Sequence, residues 1–115
     1  MKIVPLTRDH LEVLRPDGNE MPKTTVRGLT VLNDKGAPIG VCGGYRNYDH
    51  YMAFLHATDE LRASPKMLVK LCRETSKLPH RTLYAWCDYS FRGAERFLNR
   101  FGFVDRGDGI FVQEN

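Results

Sequence analysis

The sequence predicts an α/β (α+β) fold: a mixed, mostly antiparallel sheet flanked by helices, in one domain over residues 1–115. Three observations predict it. Apolar segments come in the order strand, helix, three strands, helix, strand, helix, hairpin. Residues 24–46 read as a hairpin around Asn33-Asp34-Lys35-Gly36-Ala37-Pro38. Ala94, Phe97, Leu98 and Phe101 recur at i, i+3, i+4 and i+7 after the apolar run Leu83-Tyr84-Ala85-Trp86-Cys87.

Met1 to Leu6 is a short apolar segment and supplies the first strand. Thr7 can cap a helix with Leu11, Val13 and Leu14 as its apolar positions, and Pro16-Asp17-Gly18-Asn19 stops it. Gly18 to Lys23 is polar and irregular, the pattern of a mobile loop. Thr24 to Asn33 is rich in Thr, Val and Leu and reads as a strand, followed by the strand Ile39 to Arg46. Gly43-Gly44 in that strand points to a bulge or a close backbone approach.

Asn47-Tyr48-Asp49 is a second turn. His50 to Ala57 is apolar or aromatic at both alternating sets of positions, the pattern of a central strand covered on both sides. Thr58 to Ala63 leads into a helix capped by Ser64, with Pro65 at its first position and an end near Leu78 and Pro79. Met67, Leu68, Leu71, Cys72 and Leu78 are its apolar face. Lys66, Lys70, Arg73 and Lys77 form a basic stripe, which a solvated face explains. Thr82 to Cys87 is the next strand and the Gly93 helix follows. Gly102, just past the last apolar position, is placed to end that helix in a left-handed conformation. Phe103 to Asp105 and Ile110 to Val112 close the chain as a hairpin.

Composition bounds the function. At 42% hydrophobic and 27% charged residues the chain is an ordinary globular protein. No apolar run approaches membrane-spanning length and the N-terminus has no signal-peptide core, so the expected place is the cytoplasm. Net charge of +3 is well short of a nucleic-acid-binding tail, although it is compatible with an anionic ligand. Cys42, Cys72 and Cys87 are odd in number, form no C-x-x-C pair and read as small buried residues, not a disulfide framework. His10, His50, His56 and His80 have no metal-ligand spacing. His50 and His56 share a strand face, but six residues along a strand is about 20 Å.

The run Ala94-x-x-Phe97-Leu98-x-x-Phe101-Gly102-Phe103 resembles the last helix of the GNAT superfamily of N-acetyltransferases, Ala-x-x-Phe-Tyr-x-x-x-Gly-Phe. The order of elements extends the resemblance over most of the chain, except that Arg15 to Lys23 is too short for the family's second N-terminal helix. The resemblance implies an acyl-CoA N-acyltransferase fold and makes acetyl-CoA an expected cofactor, compatible but not assured. In that family the strand before the central helix splays from its neighbour, and a glycine-rich loop with the helix N-terminus holds the pyrophosphate. The equivalent positions here are Ala57, Thr58, Arg62, Ala63, Ser64 and Lys66. This stretch has no glycine, Pro65 removes an N–H donor, and Asp59 and Glu60 bring negative charge. Where active members often carry a proton-donating tyrosine, this chain has Leu98. Tyr89, with Ser90 beside it, is the substitute donor, and His56, Asp59 or Glu60 is the candidate base.

A narrower resemblance covers residues 50–104. Phe54-Leu55-x-Ala57-Thr58-Asp59-Glu60-Leu61, the basic helix and Arg96-Phe97-Leu98-x-x-Phe101-Gly102 are similar to small GNAT-like proteins of short-tailed phages, of the internal virion protein type. That resemblance implies a fold kept without clear catalytic machinery. It implies action mainly by binding a phage or host protein, in assembly of the virion and its ejection apparatus or on a host target, with a homodimer allowed. The protein would then sit in the cytoplasm of the host cell or with the virion. The competing expectation is an active acetyl-CoA-dependent N-acetyltransferase acting on an amine of a protein or small molecule.

Overall fold

The computed structural model describes residues 1–14, 26–47, 50–78, 82–86 and 93–114. Elements follow in the expected order, with one addition. They are β1 (Lys2–Pro5), α1 (Arg8–Leu14), β2 (Val26–Leu32), β3 (Pro38–Asn47), β4 (His50–Ala57), α2 (Asp59–Arg62), α3 (Pro65–Ser76), β5 (Leu83–Trp86), α4 (Ala94–Arg100), β6 (Val104–Asp105) and β7 (Ile110–Gln113). The addition is α2, a single turn where the sequence reads as a lead-in. The Gly18–Lys23 loop and the turn residues Tyr48 and Asp49 lie outside the described residues, as do Pro79, Cys87, Tyr89 and Ser90.

One seven-stranded sheet runs β1-β2-β3-β4-β5-β7-β6. Its pairs are antiparallel except β4 with β5. Because β5 and β6 are both antiparallel to β7, they are parallel to each other. Thus β4-α3-β5 and β5-α4-β6 are parallel crossovers that step in the same direction, and right-handedness puts both helices on one face. The core agrees. Leu71 of α3 packs with Val31, Ile39, Ala57 and Leu61. Leu98 and Phe101 of α4 pack with Ala53, Ala85, Phe103 and Phe111. On the opposite face Leu11 and Leu14 of α1 pack with Val41 and Phe54. Val13 is 67% exposed, because two positions from Leu11 lies on the far side of a helix.

Local chemistry fixes the ends of these elements. Thr7 Oγ1 accepts the His10 N–H at 3.4 Å and His10 Nδ1 accepts the Thr7 N–H at 3.1 Å, a reciprocal cap with histidine in the usual Glu/Gln place. The fully buried Thr30 hydroxyl lies 2.9 Å from the same Nδ1, which ties α1 to β2. Gly102 has φ +85°, with Phe103 N–H bonded to Leu98 O and Gly102 N–H to Asn99 O, both at 3.1 Å. That is the Schellman end expected there. Ser64 occupies the cap position of α3 without a side-chain cap bond. Its carbonyl accepts the Met67 and Leu68 N–H groups at 3.0 and 3.1 Å.

The strand glycines mark a close approach. Gly28 and Gly43 face one another across β2 and β3, and a methyl on either would overlap the partner strand's backbone. The register shift in this pair lies elsewhere, between Val31 and Leu32.

Candidate functional site: the opening between β4 and β5

β4 is held unequally on its two sides. β3 pairs with it along all its length, from Asn47↔His50 to Gly40↔Ala57. β5 pairs with it only at Tyr51↔Leu83 and Met52↔Tyr84. Beyond that, Ala85 and Trp86 pair with Phe111 and Ile110 of β7 and leave β4 behind. The His50 and Tyr84 rings, with centroids 4.8 Å apart, pack at the paired end. From Ala53 to Ala57 the edge turned toward β5 meets no strand among the described residues. The two parallel strands therefore diverge as they run toward α2.

Alternation puts Ala53, Leu55 and Ala57 on the face that carries α3 and α4. Ala57 is buried in the α3 cluster and Ala53 packs in the α4 cluster. Leu55 lies between them and is 40% exposed. The uniform apolarity of this segment reads as a strand covered on both sides. The structure corrects that reading: α3 sits over β2 and β3 and α4 over β5 and β7, so neither helix covers Leu55. Leu55 was therefore missed as a site residue. Its only signal in the sequence was an apolar position in an apolar strand.

The loop that follows β4 is built around Leu61. This side chain is fully buried among Val31, Ile39, Ala57 and Leu71, and Gly40 leaves it room, since a methyl there would overlap Leu61 Cδ2. Thr58 is fastened to β3: its N–H and its hydroxyl both donate to Ile39 O, at 3.0 and 2.7 Å. Its hydroxyl is thus spent on the sheet and does not cap α2. The N–H groups of Arg62, Ala63 and Ser64 donate to the carbonyls of Thr58, Asp59 and Leu61 at 2.9–3.0 Å.

The candidate cofactor residues accordingly differ in what they offer. Ala57 turns its methyl into the core. Thr58, Ala63 and Ser64 have N–H groups engaged inside the turn or with β3. Arg62 and Lys66 are exposed cations at the start of the helical segment, with Arg62 3.9 Å from Asp59. The candidate catalytic residues lie apart. The Glu60 carboxylate accepts a bond from Asn33 Nδ2 at 3.3 Å, on the β2–β3 turn. Asn33 is the hub of that turn, its Oδ1 accepting the Lys35 and Ala37 N–H groups at 3.0 Å. His56 lies on the α1 face, in the cross-strand row Thr30–Val41–His56. Tyr89 lies outside the described residues. Leu98 is packed against the Ala85–Phe103–Phe111 cluster. Among the described residues no cluster of three His, Cys, Asp or Glu side chains could hold a metal ion. None of the described helices is long and apolar enough to cross a membrane.

A mixed sheet whose fourth strand parts from a parallel fifth, with two helices on the face of the opening, is a specific architecture. Solved structures share it along almost the whole chain. An acetyltransferase of the GNAT family from Staphylococcus aureus superposes with a TM-score of 0.64 at 14% identity, covering 98% of both chains. A Klebsiella pneumoniae protein assigned as an acyl-CoA N-acyltransferase gives 0.64 at 14% identity, over 98% of this chain and 96% of that one. The fold is that of the GNAT acyl-CoA N-acyltransferases. A GNAT family N-acetyltransferase from Escherichia coli, solved in complex with CoA, superposes at 0.53 and 16% identity over 92% of this chain and 65% of that one. No family profile matches this chain, and no curated protein sequence does. At these identities the likeness carries the GNAT fold and leaves residue roles to the chain's own chemistry.

Proposed function

We propose that the opening between β4 and β5 takes an acyl-CoA thioester and that the chain transfers the acyl group, acetyl in the simplest case, to an amine. The divergence of β4 from β5 after Met52 and Tyr84 carries this reading. It offers backbone N–H and C=O groups along Ala53–Ala57 to an extended, amide-bearing arm, and the exposed side of Leu55 covers its apolar part. Arg62 and Lys66 supply positive charge to the phosphates in place of a glycine-rich cradle. When bound, the cofactor supplies an acetyl group already activated as a thioester. An attacking amine forms the C–N bond, the C–S bond breaks, and the amine proton ends on the sulfur. Among the chain's residues His56 is the candidate to accept that proton, with Glu60 restrained by Asn33. Leu98 cannot return it, which leaves Tyr89 as the candidate donor.

A second reading has its own support. The turn α2 uses the N–H groups of Arg62, Ala63 and Ser64 within the loop, where an anion-binding cradle needs them free. Together with Leu98, this favours a protein that keeps the fold and acts by binding a phage or host protein, in virion assembly or on a host target, as the phage-type resemblance implies. Calorimetric titration with acetyl-CoA, with desulfo-CoA as control, separates the two. Micromolar binding followed by amine-dependent release of free CoA thiol supports the enzyme. No heat at millimolar cofactor overturns it and leaves the binding role.

A further inference from the structure

Two of the cysteines meet at the wall of this opening. Alternation turns Cys42 of β3 away from the Val41 face and toward α3, where it packs against the cluster that contains Leu71. Cys72, next to Leu71, is 5% exposed on α3. The two thiols hydrogen-bond one another, the Thr75 side chain also bonds Cys42, and both thiols are free. Across the strands Cys42 stands between Leu29 and Leu55. Since Leu55 is the exposed residue of the opening, Cys42 is the member of the pair next to solvent, and Cys72 is enclosed behind it.

We propose that Cys42 and Cys72 are a redox-modification site, oxidised by a peroxide to a disulfide that ties β3 to α3 along one wall of the opening. The Cys42 sulfur attacks one peroxide oxygen, the O–O bond breaks, and a sulfenic acid forms with release of water or hydroxide. The Cys72 sulfur then attacks the Cys42 sulfur, the S–O bond breaks, and the oxygen leaves as water with the Cys72 proton. Two thiols lose two electrons and two hydrogens, and hydrogen peroxide gains both as two waters. The order of attack follows from the surroundings. The bond from Cys72 holds the Cys42 thiol below its usual range against the opposing effect of burial, while the bond to Cys42 and burial push the Cys72 thiol up. Spacing alone could not pair these residues, because they meet only when α3 folds back over β3.

The test needs no cofactor and stands apart from the acyl-CoA reading. Native wild-type protein is treated with hydrogen peroxide, blocked with N-ethylmaleimide, digested without reductant and mapped by mass spectrometry. The expected product is a Cys42–Cys72 linked peptide, two hydrogens lighter than the sum of its parts and separated by dithiothreitol. The same link forms in Cys87→Ser. A single Cys42→Ser change leaves Cys72 fully alkylated after peroxide. Recovery of both cysteines in alkylated peptides, sulfinic acid on Cys42 beside alkylated Cys72, or linkage of either one to Cys87 would overturn the proposal.

Discussion

Replacing Leu61 by alanine tests how the turn after β4 is anchored. Leu61 is fully buried, and the only group facing its Cδ2 from β3 is Gly40, which has no side chain to move into the space. Removing three carbons at about 0.8 kcal/mol each costs ~2.4 kcal/mol in transfer free energy. The unfilled cavity raises the loss to roughly 3–4 kcal/mol. A domain of this length has a total stability of about 6–17 kcal/mol, so the variant still folds. Gly40→Ala alone forces a methyl into Leu61 and costs about 1–3 kcal/mol by overpacking. Combining the two changes lets the new methyl occupy part of the hole. The double variant should therefore be more stable than the sum of the single losses, by at least about 1 kcal/mol. Urea unfolding, read as the shift of the midpoint at constant slope, measures all three. Additivity within about 0.5 kcal/mol would refute the contact between Gly40 and Leu61 on which the position of α2 rests.

Further predictions address the caps and the opening. Gly102→Ala places a side chain at φ +85° with open space around it, so conformational strain alone costs about 1–2 kcal/mol; Gly102→Asn should lose less in the same unfolding assay. His10→Ala strands the buried Thr30 hydroxyl and should cost about 1–3 kcal/mol, and adding Thr30→Val should recover much of it, measured by thermal melting. Leu55→Glu puts a charge at an exposed position of the opening. It should leave the melting temperature nearly unchanged yet weaken acetyl-CoA binding at least about tenfold, equivalent to roughly 1.4 kcal/mol, by calorimetry.

The parts of the fold legible in the sequence were those encoded locally. The turn at Asn33–Pro38 and the Gly102 end of α4 each depend on a few neighbouring residues with strong backbone preferences. The helix α3 was legible because Pro65 opens it and its apolar positions repeat. What stayed hidden depends on which elements are neighbours. The divergence of β4 from β5 is a matter of pairing length, and no residue in Ala53–Ala57 announces a missing partner. Leu55 looks like its buried neighbours until the separate seats of α3 and α4 are known. The turn α2 is held by Leu61 seated beside Gly40, residues far apart along the chain. His10 as a reciprocal cap was masked because histidine stands where Glu or Gln is usual.

The account turns on whether the free edge of β4 is a ligand-binding edge. Hydrogen–deuterium exchange with and without saturating acetyl-CoA reads this directly, amide by amide. The account predicts selective slowing of exchange within Ala53–Ala57, with the β2–β3 hairpin unaffected. Exchange in that segment unchanged by a cofactor concentration that saturates binding, or protection confined to another part of the chain, would contradict it.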